Sequence, residues 1–273
     1  MTHHILIDGS YFIFYRYFAL LQWWKLSHKD EPLTSHPIHN TEFVDKFRVT
    51  FSAKIREITK KLKITEPVKL IVAQDCPRCD IWRNELLSSY KGTRPAYQTL
   101  DLKNPGPFFK LVYKDKLFEE AGVSHVLKHE RLEADDIVAI TTKYIQNKSV
   151  VSNITIITSD TDYLQLICPN TQIVNLKYAH VQTDKNSLRC PDKDLLCKII
   201  MGDKSDNILP IFPKCGRKTA IKYVMHPEML LEKLSNPLVK KQFELNKILI
   251  DFINIPSQFR DEMRCKLSSL SII

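Results

Sequence analysis

The sequence has no run of apolar residues long enough to cross a bilayer. Its most aromatic stretch, residues 11–24, is interrupted by Arg16 and reads as a buried helix. Residues 1–7 lack the basic start of a secretory signal, and Asp8 cuts the first apolar run short. Cysteine is equally uninformative as scaffolding. The seven cysteines, at 76, 79, 168, 190, 197, 215 and 265, are odd in number and show no disulfide spacing. Free thiols in an intracellular, reducing compartment are expected, with no membrane partner. Cys76-Pro-Arg-Cys79 is a CxxC, but no second CxxC or HxxxH supplies the other two ligands a zinc site needs. There is no internal repeat and no low-complexity tract.

What is present is a basic chain of 273 residues, 44% hydrophobic, with a formal net charge of +9. That length suits one large domain, or a domain with a smaller appendage. The charge suits a polyanion without choosing among DNA, RNA and a membrane surface. Ile5-Leu6-Ile7 reads as a buried strand running into Asp8-Gly9. Residues 68–73 and 154–157 read as further strands, each followed by an acid, Asp75 and Asp160. Residues 173–176 suit another strand. Between the first two strands, Phe43, Phe47, Phe51, Ile55, Ile58 and Leu62 recur at helical spacing. Residues 77–116 are basic and Pro-interrupted, read as a helix, a broken segment and a second helix. Beyond Asp192 the pattern is helical throughout. Strands alternating with helices indicate an α/β fold with a mostly parallel sheet. Ligands of such sheets lie beyond the carboxyl ends of the strands. Asp8, Asp75 and Asp160 would therefore share one edge.

Other acids cluster in the same way. Glu133-Ala134-Asp135-Asp136 puts three carboxylates into four residues at an expected helix start. Their repulsion is eased partly by the helix dipole and far more by a divalent cation. Asp160-Thr161-Asp162 follows a strand, and Gly202-Asp203-Lys204-Ser205-Asp206-Asn207 adds two more acids at a tight bend. Each motif alone is an ordinary turn or cap. Together they supply nine carboxylates, the ligand type of Mg²⁺ and Mn²⁺, and no histidine. Two such ions can clamp a phosphodiester and activate water. Setting aside these nine of the 31 acids leaves 22 against 40 basic residues, a balance of +18. An acidic centre in a basic shell fits a nuclease, with the shell taking neighbouring phosphates.

The motifs Ile7-Asp8-Gly9-Ser10, Glu133-Ala134-Asp135-Asp136, Thr158-Ser159-Asp160-Thr161-Asp162 and Met201-Gly202-Asp203-Lys204-Ser205-Asp206-Asn207-Ile208 resemble the 5′-nuclease superfamily. That superfamily includes flap endonucleases and the 5′–3′ exonuclease domain of bacterial DNA polymerase I. The resemblance runs from Ile5 to about Val224. It implies a PIN-like α/β fold, with a mostly parallel central sheet flanked by helices. It also implies a helical arch at about 77–116 and a helix–two-turn–helix element at about 199–226. The nuclease core would span 1–190 and a helical region 191–273. By resemblance, Asp8, Asp75, Glu133, Asp135 and Asp136 surround a first metal, and Asp160, Asp162, Asp203 and Asp206 a second, some through water. The ions would be two Mg²⁺ or Mn²⁺.

Trp82-Arg83-Asn84-Glu85-Leu86 and Tyr90-Lys91-Gly92-Thr93-Arg94-Pro95 are similar to the base of the family's arch. There, Lys91 and Arg94 would face the scissile phosphate and offset charge developing on it. Pro213-Lys214-Cys215-Gly216-Arg217-Lys218-Thr219-Ala220 is similar to the duplex-binding loop, where relatives hold K⁺. The resemblance thus makes Arg83, Lys214, Gly216, Arg217, Lys218, Thr219 and Lys222 DNA-binding residues. Two departures stand out. Relatives usually have Gly where Lys214 stands. Bacterial relatives carry arginine where this chain has Tyr15. Arg16 follows it, and one step turns a helical side chain by about 100°. Arg16 is assigned no role.

The expected substrate is DNA with a single-stranded 5′ end or flap and adjoining duplex, cut by a monomer to leave 3′-hydroxyl and 5′-phosphate ends. No clear sliding-clamp peptide is visible near the C-terminus. A PIN-class ribonuclease is the alternative, disfavoured by the helix–two-turn–helix element. A silent nucleic-acid-binding protein is disfavoured by the intact acids. An aspartyl phosphatase would want a second Asp where Ser10 stands.

Overall fold

The computed structural model describes residues 2–94, 101–148, 152–183, 185 and 187–272. In chain order its elements are β1 (His3–Asp8), α1 (Gly9–Ser27), α2 (Thr41–Arg56), α3 (Ile58–Lys61), β2 (Val68–Gln74), α4 (Gly106–Lys114), α5 (Leu117–Glu120) and β3 (His125–Lys128). There follow α6 (Ala134–Lys148), β4 (Ile154–Ile157), β5 (Thr171–Val174), α7 (Pro191–Met201), α8 (Arg217–Met225), α9 (Pro227–Leu234), α10 (Pro237–Ile250) and α11 (Ser257–Ser269). Among the described residues no helix is long and apolar enough to cross a membrane.

The five strands form one sheet in the order β3-β2-β1-β4-β5, and every neighbouring pair is parallel. Parallel strands are buried on both faces, which explains why β1 and β4 read as unbroken apolar runs. Successive side chains point to opposite faces. Ile5 and Ile7 therefore meet Phe12, Phe47, Phe51 and Phe108 on one side. Leu6 meets Ile137, Ile140 and Met263 on the other. The amphipathic run after residue 41 forms α2 and α3 and buries Phe43, Phe47, Phe51, Ile55 and Ile58.

From β1 the chain moves outward to β2 and β3, then crosses back to β4 on the opposite side of β1. The order thus reverses between β1 and β4, and a crevice opens there at the carboxyl edge. Asp8 ends β1 and Asp160 follows β4, so the two acids flank that crevice.

Three elements differ from expectation. The last strand lies two residues earlier than the apolar run at 173–176. β3 was not anticipated; it is short, and His125 and Lys128 hide its apolar pair Val126-Leu127. The helix expected after residue 77 is two 3-10 turns, Arg78–Asp80 and Trp82–Glu85. There the backbone bonds away from itself: Trp82 N donates to Arg131 O at 3.1 Å and Cys76 N to Leu132 O at 3.1 Å. Pro95 and the middle of the expected arch lie outside the described residues, and α4 is the helix expected beyond them. The region after Asp192 is helical apart from the bridge between Asp203 and Ile208, and α11 returns to pack on α6.

Candidate active site

Strand ends and helix starts aim the acids. Asp8 caps α1: one carboxylate oxygen accepts from Tyr11 N at 2.9 Å. The other accepts from the hydroxyls of Tyr163 at 3.1 Å and Thr158 at 3.4 Å. A side chain at Gly9 would strike Ala73 O at 2.7 Å, so the chain can turn from β1 into α1 here only with glycine. Asp75 follows β2, accepts from the Ser10 hydroxyl, and accepts from Ala134 N at 2.7 Å. That last bond ties the start of α6, and with it Glu133, Asp135 and Asp136, to the end of β2. Asp160 caps the 3-10 turn Thr161–Leu166 by accepting from Asp162 N at 2.9 Å.

A set of cations holds the other side. Lys91 pairs with Glu133, which also accepts from Arg83 Nη1 at 3.0 Å and from the Tyr90 hydroxyl at 2.9 Å. Arg94 Nη2 meets Asp206 at 2.7 Å, and the Tyr90 hydroxyl reaches the same carboxylate at 3.1 Å. The turn carrying Lys91 is docked on the Asp206 loop by Lys91 N to Asp206 O at 3.0 Å and Asn207 Nδ2 to Ser89 O at 3.0 Å. Lys198 of α7 bridges Asp162 and Asp203, the latter at 2.8 Å. Asp135, Asp162, Asp203 and Asp206 line one narrow cavity. Asp135, assigned to the first metal group, thus faces the same cavity as Asp162, Asp203 and Asp206 of the second.

Two residues have duties the sequence did not suggest. Arg83, expected to bind DNA, is only 2% exposed. It grips Asp136 through both terminal nitrogens, at 2.7 and 2.8 Å, and spends Nε on Leu249 O at 2.8 Å. Four of its five N–H donors are spent inside the protein and the group is shut off from solvent, so Arg83 is an internal clamp and that expectation is corrected. Asp136 is fully buried, and Trp82 Nε1 adds a third bond at 2.9 Å. Ligand oxygens of Glu133, Asp135 and Asp136 can lie within 4.8 Å of one another. Both Asp136 oxygens lie on Arg83, and both Glu133 oxygens are held by Lys91, Arg83 and Tyr90, so Asp135 is the least engaged of the three.

The electrostatics divide the cluster. Burial and the facing Asp75 push the Asp8 carboxyl up to about 7. Burial also raises Asp75. Asp135 is driven well above the usual carboxylate range by burial and by Asp136 and Glu133. Burial pushes Glu133 up too, but Lys91 and Arg83 outweigh it and hold the group below its ordinary value. At Asp203, Lys198 outweighs burial and brings the carboxyl down to about 2. Glu133 and Asp203 thus have their cations already. Asp8, Asp75 and Asp135 make no ion pair among the described residues and resist ionising, and a hard divalent cation would favour their charged form. The residues present fit such an ion.

The expected duplex-binding residues lie elsewhere, on the loop before α8 and on α8 itself. Lys214, Lys218 and Lys222 are exposed, while Cys215, Ala220, Tyr223 and Val224 anchor the element in its own small core. Lys214 has φ of 60°, the left-handed region. That explains why glycine suits this position.

Lys198, Tyr163, Tyr90 and Ser10 were not picked out from sequence. Ser10 and Tyr163 adjoin acidic motifs, and Tyr90 adjoins Lys91. Lys198 carried a weaker signal, as the last lysine of the helix leading into Gly202-Asp203.

Acids gathered at the switch point of a parallel sheet, with cations laid against them, form an oxygen donor set suited to divalent metal ions in an α/β fold. The family model of the 5′-3′ exonuclease N-terminal resolvase-like domain matches residues 3–192, and the chain belongs to that family. It is 32% identical over 181 residues to a 5′-3′ exonuclease of Buchnera aphidicola subsp. Schizaphis graminum, covering 62% of this chain and 54% of the relative. It is 28% identical over 227 residues to DNA polymerase I of Lactococcus lactis subsp. cremoris, covering 80% of this chain. The chain spans about a quarter of that polymerase, 23% of its length. Among solved structures, bacteriophage T5 5′-exonuclease with bound zinc superposes with a TM-score of 0.67 at 18% identity, covering 99% of each chain. The bacteriophage T5 D15 flap endonuclease variant in complex with DNA and metal ions gives 0.68 at 15% identity, covering 100% of each. The fold is the PIN-like fold of these nucleases.

Proposed function

We propose that this protein is a metal-dependent 5′-nuclease, a 5′–3′ exonuclease and flap endonuclease acting on DNA. One observation carries the reading: half-buried acids with no ion pair among the described residues sit at the sheet's switch point, directly beside the paired Lys91 and Arg94. Divalent ions, Mg²⁺ or Mn²⁺, would supply Lewis acidity and a water made nucleophilic at neutral pH. Asp8, Asp75, Glu133 and Asp135 would hold one ion; Asp160, Asp162, Asp203 and Asp206 would hold the second, directly or through water.

The chain's own groups do the rest. Lys91 stays charged, because Glu133 and Asp206 outweigh its burial. Lys91 and Arg94 offset charge building on the phosphate oxygens, Arg94 through a two-pronged donor. Family relatives that act with DNA and metal support this substrate. The arch expected at about 77–116 would admit a single-stranded 5′ end. The loop at 213–219, with Gly216, Arg217, Thr219 and the exposed lysines 214, 218 and 222, would hold duplex backbone, with K⁺ as the ion expected there. The working form would be a monomer in a reducing compartment.

The deciding assay offers a 5′-flap DNA, a blunt duplex and a single-stranded RNA, each with Mg²⁺ and with EDTA. Cutting of the flap with Mg²⁺ alone is expected. Cutting in EDTA, no cutting of any DNA, or preference for the RNA would overturn the reading.

A further inference from the structure

Arg16 had no role in the sequence, and it lines a pocket of its own. The pocket, about 190 Å³, is bounded on α1 by Tyr15 and Arg16, beyond β5 by Tyr178, and by Lys54 and Lys61 from α2 and α3. Its single lining carboxylate, Glu57, is already paired with Lys54 at 2.6 Å. Arg16 makes no ion pair among the described residues, and its Nε is buried without a hydrogen-bond partner. Burial lowers its pKa and outweighs the nearby Glu57 carboxylate, which is held by Lys54. A half-buried, unpaired guanidinium beside two lysines is an incomplete arrangement. A phosphate completes it, because the planar fork matches phosphate oxygens.

The pocket's position says whose phosphate. Leu176 and Tyr178 follow β5, so the pocket opens at the same carboxyl edge of the sheet as Asp8 and Asp160. Tyr11 links the two sites. Its N–H caps Asp8, its hydroxyl accepts from Leu176 N at 3.1 Å, and its ring centroid lies 6.1 Å from that of Tyr15. β5 is two strands from β1. At about 4.8 Å per strand the pocket lies roughly 10 Å from Asp8. Stacked nucleotides rise about 3.4 Å each, so this is a span of two or three nucleotides. Tyrosine rings beside cations are the usual platform for a single strand.

We propose that this pocket holds a backbone phosphate of the substrate strand two or three nucleotides from the cut bond, with an adjoining base against Tyr15 or Tyr178. The proposal rests on the nuclease reading, and its test can fail separately.

Arg16→Gln is the variant, with binding of 5′-flap DNA followed by fluorescence anisotropy in EDTA across a salt series. The variant should bind several-fold more weakly at low salt, and the log Kd against log salt slope should drop by about 0.7–0.9, one phosphate contact. Neutral methylphosphonates placed singly at the four phosphates on either side of the cut should then show one position that weakens the wild type and leaves Arg16→Gln unchanged. Arg16→Lys, which keeps the charge and loses the fork, should fall between. Wild-type affinity and slope in Arg16→Gln, or equal methylphosphonate losses in both proteins at every position, would overturn the proposal. So would Arg16-dependent binding of thymidine 5′-monophosphate alongside Arg16-independent strand binding, which would assign the pocket to free nucleotides. Melting of Arg16→Gln at or above the wild-type temperature is expected, since the cation has no partner to lose. Arg16-dependent strand binding by a protein that cuts no DNA in Mg²⁺ would sink the nuclease reading and leave the pocket standing.

Discussion

The cost of ionising Asp8 can be measured directly. In the folded protein its carboxyl is raised from 3.8 to about 7 by burial and by Asp75. A shift of roughly three units corresponds to about 4 kcal/mol. Asp75 shares the same repulsion, so we assign Asp8 about 2–4 kcal/mol. The sign follows from linkage. Below the unfolded pKa the group is neutral in both states and costs nothing. As pH rises from about 4 to about 7 the unfolded chain ionises more readily, and folding stability falls. Above about 7 the full cost is present. Asp8→Asn removes the charge and keeps an oxygen to cap Tyr11 N, so α1 keeps its N-cap. The amide would face the Tyr163 and Thr158 hydroxyls, which must rotate to accept, at a loss of about 1 kcal/mol. Urea denaturation in EDTA should therefore find Asp8→Asn about 1–3 kcal/mol more stable than wild type at pH 8. Near pH 4 it should be equal or slightly weaker. Added Mg²⁺ should stabilise the wild type, by about 2.7 kcal/mol at a hundredfold excess over Kd, and the variant far less. A stability difference that does not change with pH, or that runs in the opposite direction, would refute the argument.

Three further outcomes are expected. Arg83→Met strands Glu133 and Asp136, whose buried charges lean on this one guanidinium, and should destabilise by about 3–5 kcal/mol; a melting temperature within about 2 °C of wild type would show the clamp to be dispensable. Lys91→Ala leaves Glu133 its bonds to Arg83 and Tyr90, so the fold should hold while single-turnover flap cleavage falls by about 10²–10³; a loss of threefold or less would remove Lys91 from the chemistry. Lys214→Gly relieves a left-handed backbone position and should stabilise by up to about 1 kcal/mol after glycine's own entropy cost; destabilisation in chemical denaturation would contradict this.

Much of the site could be read from the chain because parallel sheets impose a simple rule. A strand that is buried on both faces has an apolar centre, and acids can follow within three residues of its last apolar side chain. Asp8, Asp75 and Asp160 are such residues, and Glu133, Asp135 and Asp136 sit at a helix start that the same edge presents. Residue order alone therefore predicted which acids converge. It could not show which cation each acid meets. Arg83 is assigned to DNA by its segment's resemblance to the base of an arch; only packing of the Trp82–Glu85 turn beneath α10 and α6 shows it buried on Asp136. Lys198 and Tyr163 bond across 36 and 155 residues to Asp162 and Asp8, separations that no local pattern encodes. Sequence determined the carboxylates, since burial pattern and strand ends are local properties. Tertiary structure decided how their charge is balanced, because each ion pair depends on segments brought together only by folding. Among the described residues, Asp8, Asp75 and Asp135 form no ion pair with a cation, and Arg16 none with an anion.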